Sequence, residues 1–355
     1  MANEILARKQ KIGLLQQADW ATPNNADAAY KTVPYDAGIS VPDPDVQIDS
    51  FNWSSASGIT EESTRKYVDK LSGLPKLNFE GVMIKNLLAP HLVAAFPGEV
   101  SEDGTTPYTK YFEPSDDVVD FYADDALLHT IAIGNYNTGA DPETAMDGII
   151  LENAILDSFT MTFNNNDRGI ARLGRWSGTW VGNEMNFEQN FDNASTAFSN
   201  WAAAPTTGFY NEAALGFAFS ITLGSDAYNS VCWKSFSITV NNNVTSECKT
   251  AGGKANNYLI MPEITFTVDL PYNSGTYTIL KNFQDGEDVN NLLFLSGDGS
   301  SDGHLKIYNT EGGLTANPFE YNGEYQAIRL QGKLLRPAAG WSSLITMADA
   351  VDWSY

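Results

Sequence analysis

The feature that most restricts the fold is a two-residue alternation of apolar and polar side chains that recurs in three separate places. In Ser158-Phe159-Thr160-Met161-Thr162-Phe163 the apolar Phe159, Met161 and Phe163 share one side of an extended chain, and Ser158, Thr160 and Thr162 share the other. Ser235-Phe236-Ser237-Ile238-Thr239-Val240 repeats the construction, and both runs end in asparagines, at 164–166 and 241–243. Glu263-Ile264-Thr265-Phe266-Thr267-Val268-Asp269-Leu270 obeys the same rule, with Glu263 and Asp269 joining Thr265 and Thr267 on its polar side. Each run reads as a strand that packs one face and leaves the other to water, so a mainly β protein is expected. Only 18% of residues are charged, which leaves Ser, Thr, Asn and Gly to cover much of the surface. That mix suits sheets and loops better than exposed helices.

Lysine and arginine total 21 against 44 aspartates and glutamates, and 21 − 44 gives a net charge of −23. A nucleic-acid binder needs clustered cations to release counterions, so tight capture of a phosphate backbone is not expected. No run of 18 apolar residues offers a membrane span, and no membrane partner is expected. The opening MANEILARKQKIGLL lacks the apolar region and cleavage site of a signal peptide, so the expectation is a chain kept in the cytoplasm. Cys232 and Cys248 are too few for a disulfide scaffold.

Catalytic patterns do not emerge. His91, His129 and His304 share no ligand spacing with one another or with the cysteines, so neither zinc nor any other cofactor is expected. His91, just after Pro90 in an apolar helical segment, reads as a partly buried, hydrogen-bonded residue. No nucleophile-elbow, metallopeptidase, phosphate-loop or dinucleotide signature occurs, and the chain is expected not to be an enzyme. The turn Gly297-Asp298-Gly299-Ser300-Ser301-Asp302-Gly303 lacks the spacing and closing glutamate of an EF-hand and reads as a hairpin turn. The carboxylate run Asp116, Asp117, Asp120, Asp124 and Asp125 reads as a solvated loop, although a glycosidase needs only two facing acids. Trp176 and Trp180, four apart, share one face of a strand, as a core or interface pair or as a sugar-stacking platform.

Two segments resemble each other across about half the chain. Asp49-Ser50-Phe51 precedes LPKLNFEG (74–81) and the helical IKNLLAPHLVAAF (84–96); Lys234-Ser235-Phe236 precedes MPEITFTV (261–268) and TYTILKNF (276–283). The expected organisation is an extended arm over 1–45, two related β halves over 46–205 and 206–340 with one short helix each, and a docking tail over 341–355, with a small terminal strand as the alternative for that tail. The arm combines a basic patch at Arg8, Lys9 and Lys11 with Trp20 and with prolines at 34, 42 and 44, which oppose both helix and central strand. Polar but uncharged strand faces without catalytic motifs suggest an assembly in which sheets close around something they do not hold tightly.

Arg8-Lys9-Gln10-Lys11-Ile12-Gly13-Leu14 followed by Ala18-Asp19-Trp20-Ala21-Thr22-Pro23 resembles the opening of the major tail tube proteins of long-tailed bacteriophages, with Ala21 where that family often has glycine. Ser50-Phe51, the Gly73-Leu74-Pro75 strand with its helix, and Ser235–Asn243 are similar to the same family. The resemblance implies a tail-tube-type β-sandwich or barrel and a structural virion protein, found in the phage tail after assembly in the host cytoplasm. Its copies would form rings, as trimers with pseudo-six-fold symmetry or as hexamers, stacked into a tube with other phage tail proteins. DNA would pass through without tight binding. Ser158, Thr160, Thr162, Ser235, Ser237, Thr239, Glu263, Thr265, Thr267 and Asp269 would face the lumen; Arg8, Lys9, Lys11 and Trp20 would belong to an inter-ring arm. The competing readings are a carbohydrate-binding β-sandwich using the tryptophan pair, an acidic glycoside hydrolase, and another tail or baseplate component of the same fold.

Overall fold

The computed structural model describes residues 5–17, 31–33, 45–54, 60–69, 76–96, 99–103, 108–115, 119–120, 128–137, 146–165, 173–182, 184–188, 216–229, 232–249, 255–259, 261–297, 304–322, 325–341 and 344–349. In chain order these form β1 (Ile5–Gln16), β2 (Lys31–Val33), β3 (Asp45–Ser54), β4 (Thr60–Asp69), β5 (Lys76–Val82), helix α1 (Lys85–Ala95), β6 (Glu99–Asp103), β7 (Tyr108–Glu113), β8 (Val119–Asp120), β9 (His129–Asn137), β10 (Met146–Asn164), β11 (Arg175–Val181) and β12 (Glu184–Glu188). Then come β13 (Phe217–Leu223), β14 (Asp226–Tyr228), β15 (Ser235–Asn241), β16 (Thr245–Lys249), β17 (Ala255–Leu259), β18 (Glu263–Pro271), helix α2 (Tyr277–Gln284), β19 (Val289–Ser296), β20 (Leu305–Asn309), β21 (Gly312–Leu314), β22 (Phe319–Asn322), β23 (Tyr325–Leu334) and β24 (Ile345–Asp349). The protein is mainly β, and its described ladders are antiparallel, as the alternation led us to expect.

One run of hydrogen-bonded neighbours is β5–β11–β10–β15–β18–β23. A second is β14–β13–β19–β20–β24–β7–β6. Short β21 bridges them, pairing with β19 through Gly312 and Val289 and with β23 through Gly312–Leu314. The apolar faces meet in an aromatic core: Phe163 of β10 and Phe236 of β15 lie 4.2 and 5.0 Å from Phe294 of β19, ring centre to ring centre. Every apolar residue of the three alternating runs, from Phe159 to Val268, is buried there.

Strand β10 serves two sheets. Its first part pairs with β9 and β12, its second with β11 and β15, and its register with β9 shifts between Leu151 and Ala154. At the switch, buried Asn153 adopts a left-handed backbone (φ 50°), a conformation asparagine tolerates better than most residues. Buried Gln17 holds it: Gln17 Nε2 donates to Asn153 Oδ1 at 2.8 Å, while the Asn153 amide and Thr130 Oγ1 donate to Gln17 Oε1. The asparagine run after β15 also has a structural use, since Asn242 Nδ2 donates to the carbonyls of Ala95, at the end of α1, and of Leu156. The Ala95 carbonyl is among the last four of α1, which have no acceptor role within the helix.

Helices follow β5 and β18, where the sequence led us to expect them. The start of the chain differs from expectation. Residues 5–16, expected in a projecting arm, form β1, which pairs within the chain with β9 and β2 and buries Ile12 and Leu14. At the other end the alternative reading of the tail, a small strand, is what forms: β24 is flanked on both sides by β20 and β7, because Leu344, Ile345, Met347 and Ala348 are apolar enough to be buried. The expected junction at 201–208 lies outside the described residues. Ladders β10–β15 and β7–β24 join strands from either side of it, so the sheets are continuous across that boundary.

Candidate functional site

The polar sides of the three alternating strands come together as one surface. Because β10, β15 and β18 are consecutive neighbours, Ser158, Thr160 and Thr162 stand opposite Asn241, Thr239 and Ser237. Ser235, Ser237, Thr239 and Asn241 in turn stand opposite Asp269, Thr267, Thr265 and Glu263. All the residues expected to face a lumen therefore occupy a single face, partly exposed, with the aromatic core beneath it. Thr160 and Thr239 hydroxyls are 2.8 Å apart, and Ser235 Oγ donates to Asp269 Oδ2 at 2.8 Å.

Three further strands widen this face. On one side β11 adds Arg175, Ser177 and Thr179, and β5 adds Asn78 and Glu80; on the other β23 adds Arg329, Gln331 and Lys333. The alternation Arg329-Leu330-Gln331-Gly332-Lys333 is a signal that sequence reading could have used, and Arg175-Trp176-Ser177 is another. The glycine is required by packing, since a Cβ at Gly332 would lie 2.4 Å from the Phe266 ring beneath.

Electrostatically the face departs from the whole chain. Among the described residues of this face and its border, Glu80, Asp157, Glu263 and Asp269 are matched by Lys76, Arg175, Arg329 and Lys333. Arg329 grips Asp269 with Nε at 2.7 Å from Oδ1 and Nη2 at 3.3 Å from Oδ2, and Lys333 Nζ lies 2.9 Å from Glu263 Oε1. At the edge, Lys76 lies 3.8 Å from Asp157. Partial burial raises the Asp269 pKa, but the hydrogen bonds from Arg329 and Ser235 and the charges of Arg329 and Lys234 outweigh it and hold the carboxyl below its ordinary value. The face is thus charge-balanced and rich in hydroxyls, although the chain as a whole carries a net charge of −23.

The basic residues of the expected arm are placed differently. Lys11 stands opposite Gly134, and Arg8 and Lys9 fall in the stretch of β1 where its register with β9 shifts. Trp20 lies outside the described residues, as do Asp298–Gly303 and most of the 116–125 carboxylate run.

Other candidate chemistry gains nothing from the geometry. Trp176 and Trp180 are buried, 3% and 0% exposed, so they form core and no sugar platform. Glu263 and Asp269 are six residues apart on one strand, roughly 20 Å at the strand rise, against the 5–10 Å that glycoside hydrolysis needs. His91 is fully buried with neither ring nitrogen hydrogen-bonded among the described residues, in contrast to the bonded histidine expected. Its ring lies 4.3 Å from Trp176 and 6.2 Å from Trp180, and His129 packs 5.5 Å from the same Trp180. Burial, with a smaller push from the charge of His129, lowers the His91 pKa from 6.5 to about 3. Cys232 is an exposed free thiol. Among the described residues no three His, Cys, Asp or Glu side chains gather as a metal site, and no helix is long and apolar enough to cross a membrane.

No protein-family model matches the sequence, and no curated protein is detectably similar to it.

Proposed function

We propose that the chain is a structural, self-assembling protein rather than an enzyme, one whose copies close their sheets around a shared passage. More specifically, the reading is a major tail tube subunit of a long-tailed bacteriophage, in which rings of the chain stack around a lumen that carries DNA during ejection. The observation that carries it is the wide, partly exposed face of β5–β11–β10–β15–β18–β23, lined by hydroxyls and amides with its charges balanced. A conduit must let a polyanion slide, so it needs a hydrated wall with neither a strong positive field, which would capture phosphates, nor large apolar side chains. Ring closure requires a head-to-tail interface between copies, and stacking of rings then gives an open filament. Unpaired sheet edges, an aggregation liability in a free monomer, would be used up in that closure.

Negative-stain electron microscopy of the purified protein at high concentration tests this reading. Hollow tubes or rings are expected, with symmetry that decides between three and six subunits. Dispersed monomers that bind a panel of glycans would move the assignment to a carbohydrate-binding module.

A further inference from the structure

The cations of the polar face are not scattered: two of them are each clamped by a carboxylate on the neighbouring strand. Arg329 is held by Asp269, itself fixed by Ser235 Oγ, and Lys333 by Glu263. Arg329 and Lys333 are four residues apart on β23 and point to the same side, roughly 13 Å from one another along the strand. That spacing is close to twice the distance between successive phosphates on a DNA strand. With their side chains 42% and 43% exposed, both cations remain within reach of a passing polyanion.

We infer that Asp269 and Glu263 act as built-in counterions, keeping a latent phosphate-binding pair, Arg329 and Lys333, from capturing DNA. Phosphate capture is driven by release of counterions condensed on the nucleic acid, and a lysine or arginine already satisfied by a carboxylate gains little from the exchange. The rest of the chain's negative charge does not decide the matter. At physiological salt the Debye length is about 8 Å, so carboxylates elsewhere on the molecule are largely screened and the local pairing governs what DNA meets. Beyond β18, the polar positions 235–241 of β15 and 158–162 of β10 then offer no fixed charge in either direction. This inference rests on the reading that the face meets DNA in the assembled tube, but the masking itself is a property of the single chain and is measured on it.

The test is binding of a short fluorescent DNA duplex to the full-length protein by anisotropy, at low and at physiological salt. The Asp269→Asn, Glu263→Gln variant should bind at least about tenfold more tightly than the unchanged protein, and log K should fall more steeply with log salt, by up to roughly one for each cation. Removing the cations as well, in Asp269→Asn, Glu263→Gln, Arg329→Gln, Lys333→Gln, should return binding to its starting level. Circular dichroism identifies any variant that has lost its fold, and the single Glu263→Gln change, at the more exposed pair, should give a smaller gain in the same direction. Unchanged affinity in folded variants, or a gain that survives loss of both cations, would overturn the inference. If masking is confirmed in solution but virions carrying the double variant eject DNA at the normal rate, the inference stands and the placement of this face in the lumen fails.

Discussion

The two faces of β10, β15 and β18 are built from the same backbone and obey opposite constraints. Beneath, Phe163 and Phe236 pack on Phe294 and on each other, Phe159 packs against Trp176 and His91, and Phe266 is buried, so their identities are fixed by the volume left under the sheet. Above, Ser158, Thr160, Ser237, Thr239 and Thr265 have no such requirement: a β-branched or small polar side chain satisfies the strand, and nothing in the fold dictates hydroxyls over lysines or glutamates. This acidic chain keeps charge off the middle of the face and balances what charge lies on its flanks, which is the surface that the proposed passage for DNA would need. That contrast is the physical argument for a conduit wall.

The contrast is open to measurement. The largest effect should come from the buried side: Phe236→Ala, which empties space against Phe163, Phe219 and Phe294, is expected to cost about 3–5 kcal/mol, read by chemical denaturation. A loss below about 1 kcal/mol would mean that the two sheets are not packed as described.

Next comes the buried histidine of α1, His91. Its folded pKa, about 3, is below the ordinary 6.5, so the folded state refuses a proton that the unfolded chain accepts. The stability from neutral His91 is therefore fully present above pH 6.5 and is lost as pH falls toward 3, at up to roughly 1.4 kcal/mol per pH unit. Between pH 6.5 and 5, before most carboxylates titrate, the unchanged protein should lose stability and His91→Phe should lose distinctly less. Equal slopes would assign the titration to another group.

The smallest effect is expected on the polar face. Thr160→Val with Thr239→Val removes both partners of the 2.8 Å hydroxyl contact while keeping shape, and should change stability by less than about 0.5 kcal/mol. A loss comparable with Phe236→Ala would show that this face is locked within the monomer and is not a free wall.

Sequence reading reached the alternating strands because a half-buried strand writes its own pattern locally. Ser158–Phe163, Ser235–Val240 and Glu263–Leu270 could be assigned, face by face, without knowing their neighbours. It could not show that these three strands are adjacent and in register, since pairing is decided by contacts between residues tens to a hundred positions apart. The ion pairs on the face were hidden for the same reason: Asp269 and Arg329 are 60 residues apart in sequence. Nor could it bring His91 and His129 to one tryptophan, or show which strands the end of the chain would dock between, where β24 pairs with β20 and β7 and buries Ile345, Met347 and Ala348. Proline density suggested a projecting arm for the start of the chain, but residues 5–16 lie upstream of those prolines and carry enough apolar residues, Ile12 and Leu14 among them, to join a sheet.

The central claim is that the face carrying Thr160, Thr239 and Thr265 is the inner wall of a tube. Helical reconstruction by electron cryomicroscopy of the assembled filament tests it most directly. The account expects these three threonines to line the lumen, with Asp269–Arg329 and Glu263–Lys333 flanking them. A filament with these residues on its outer surface, or sealed between subunits, would contradict it.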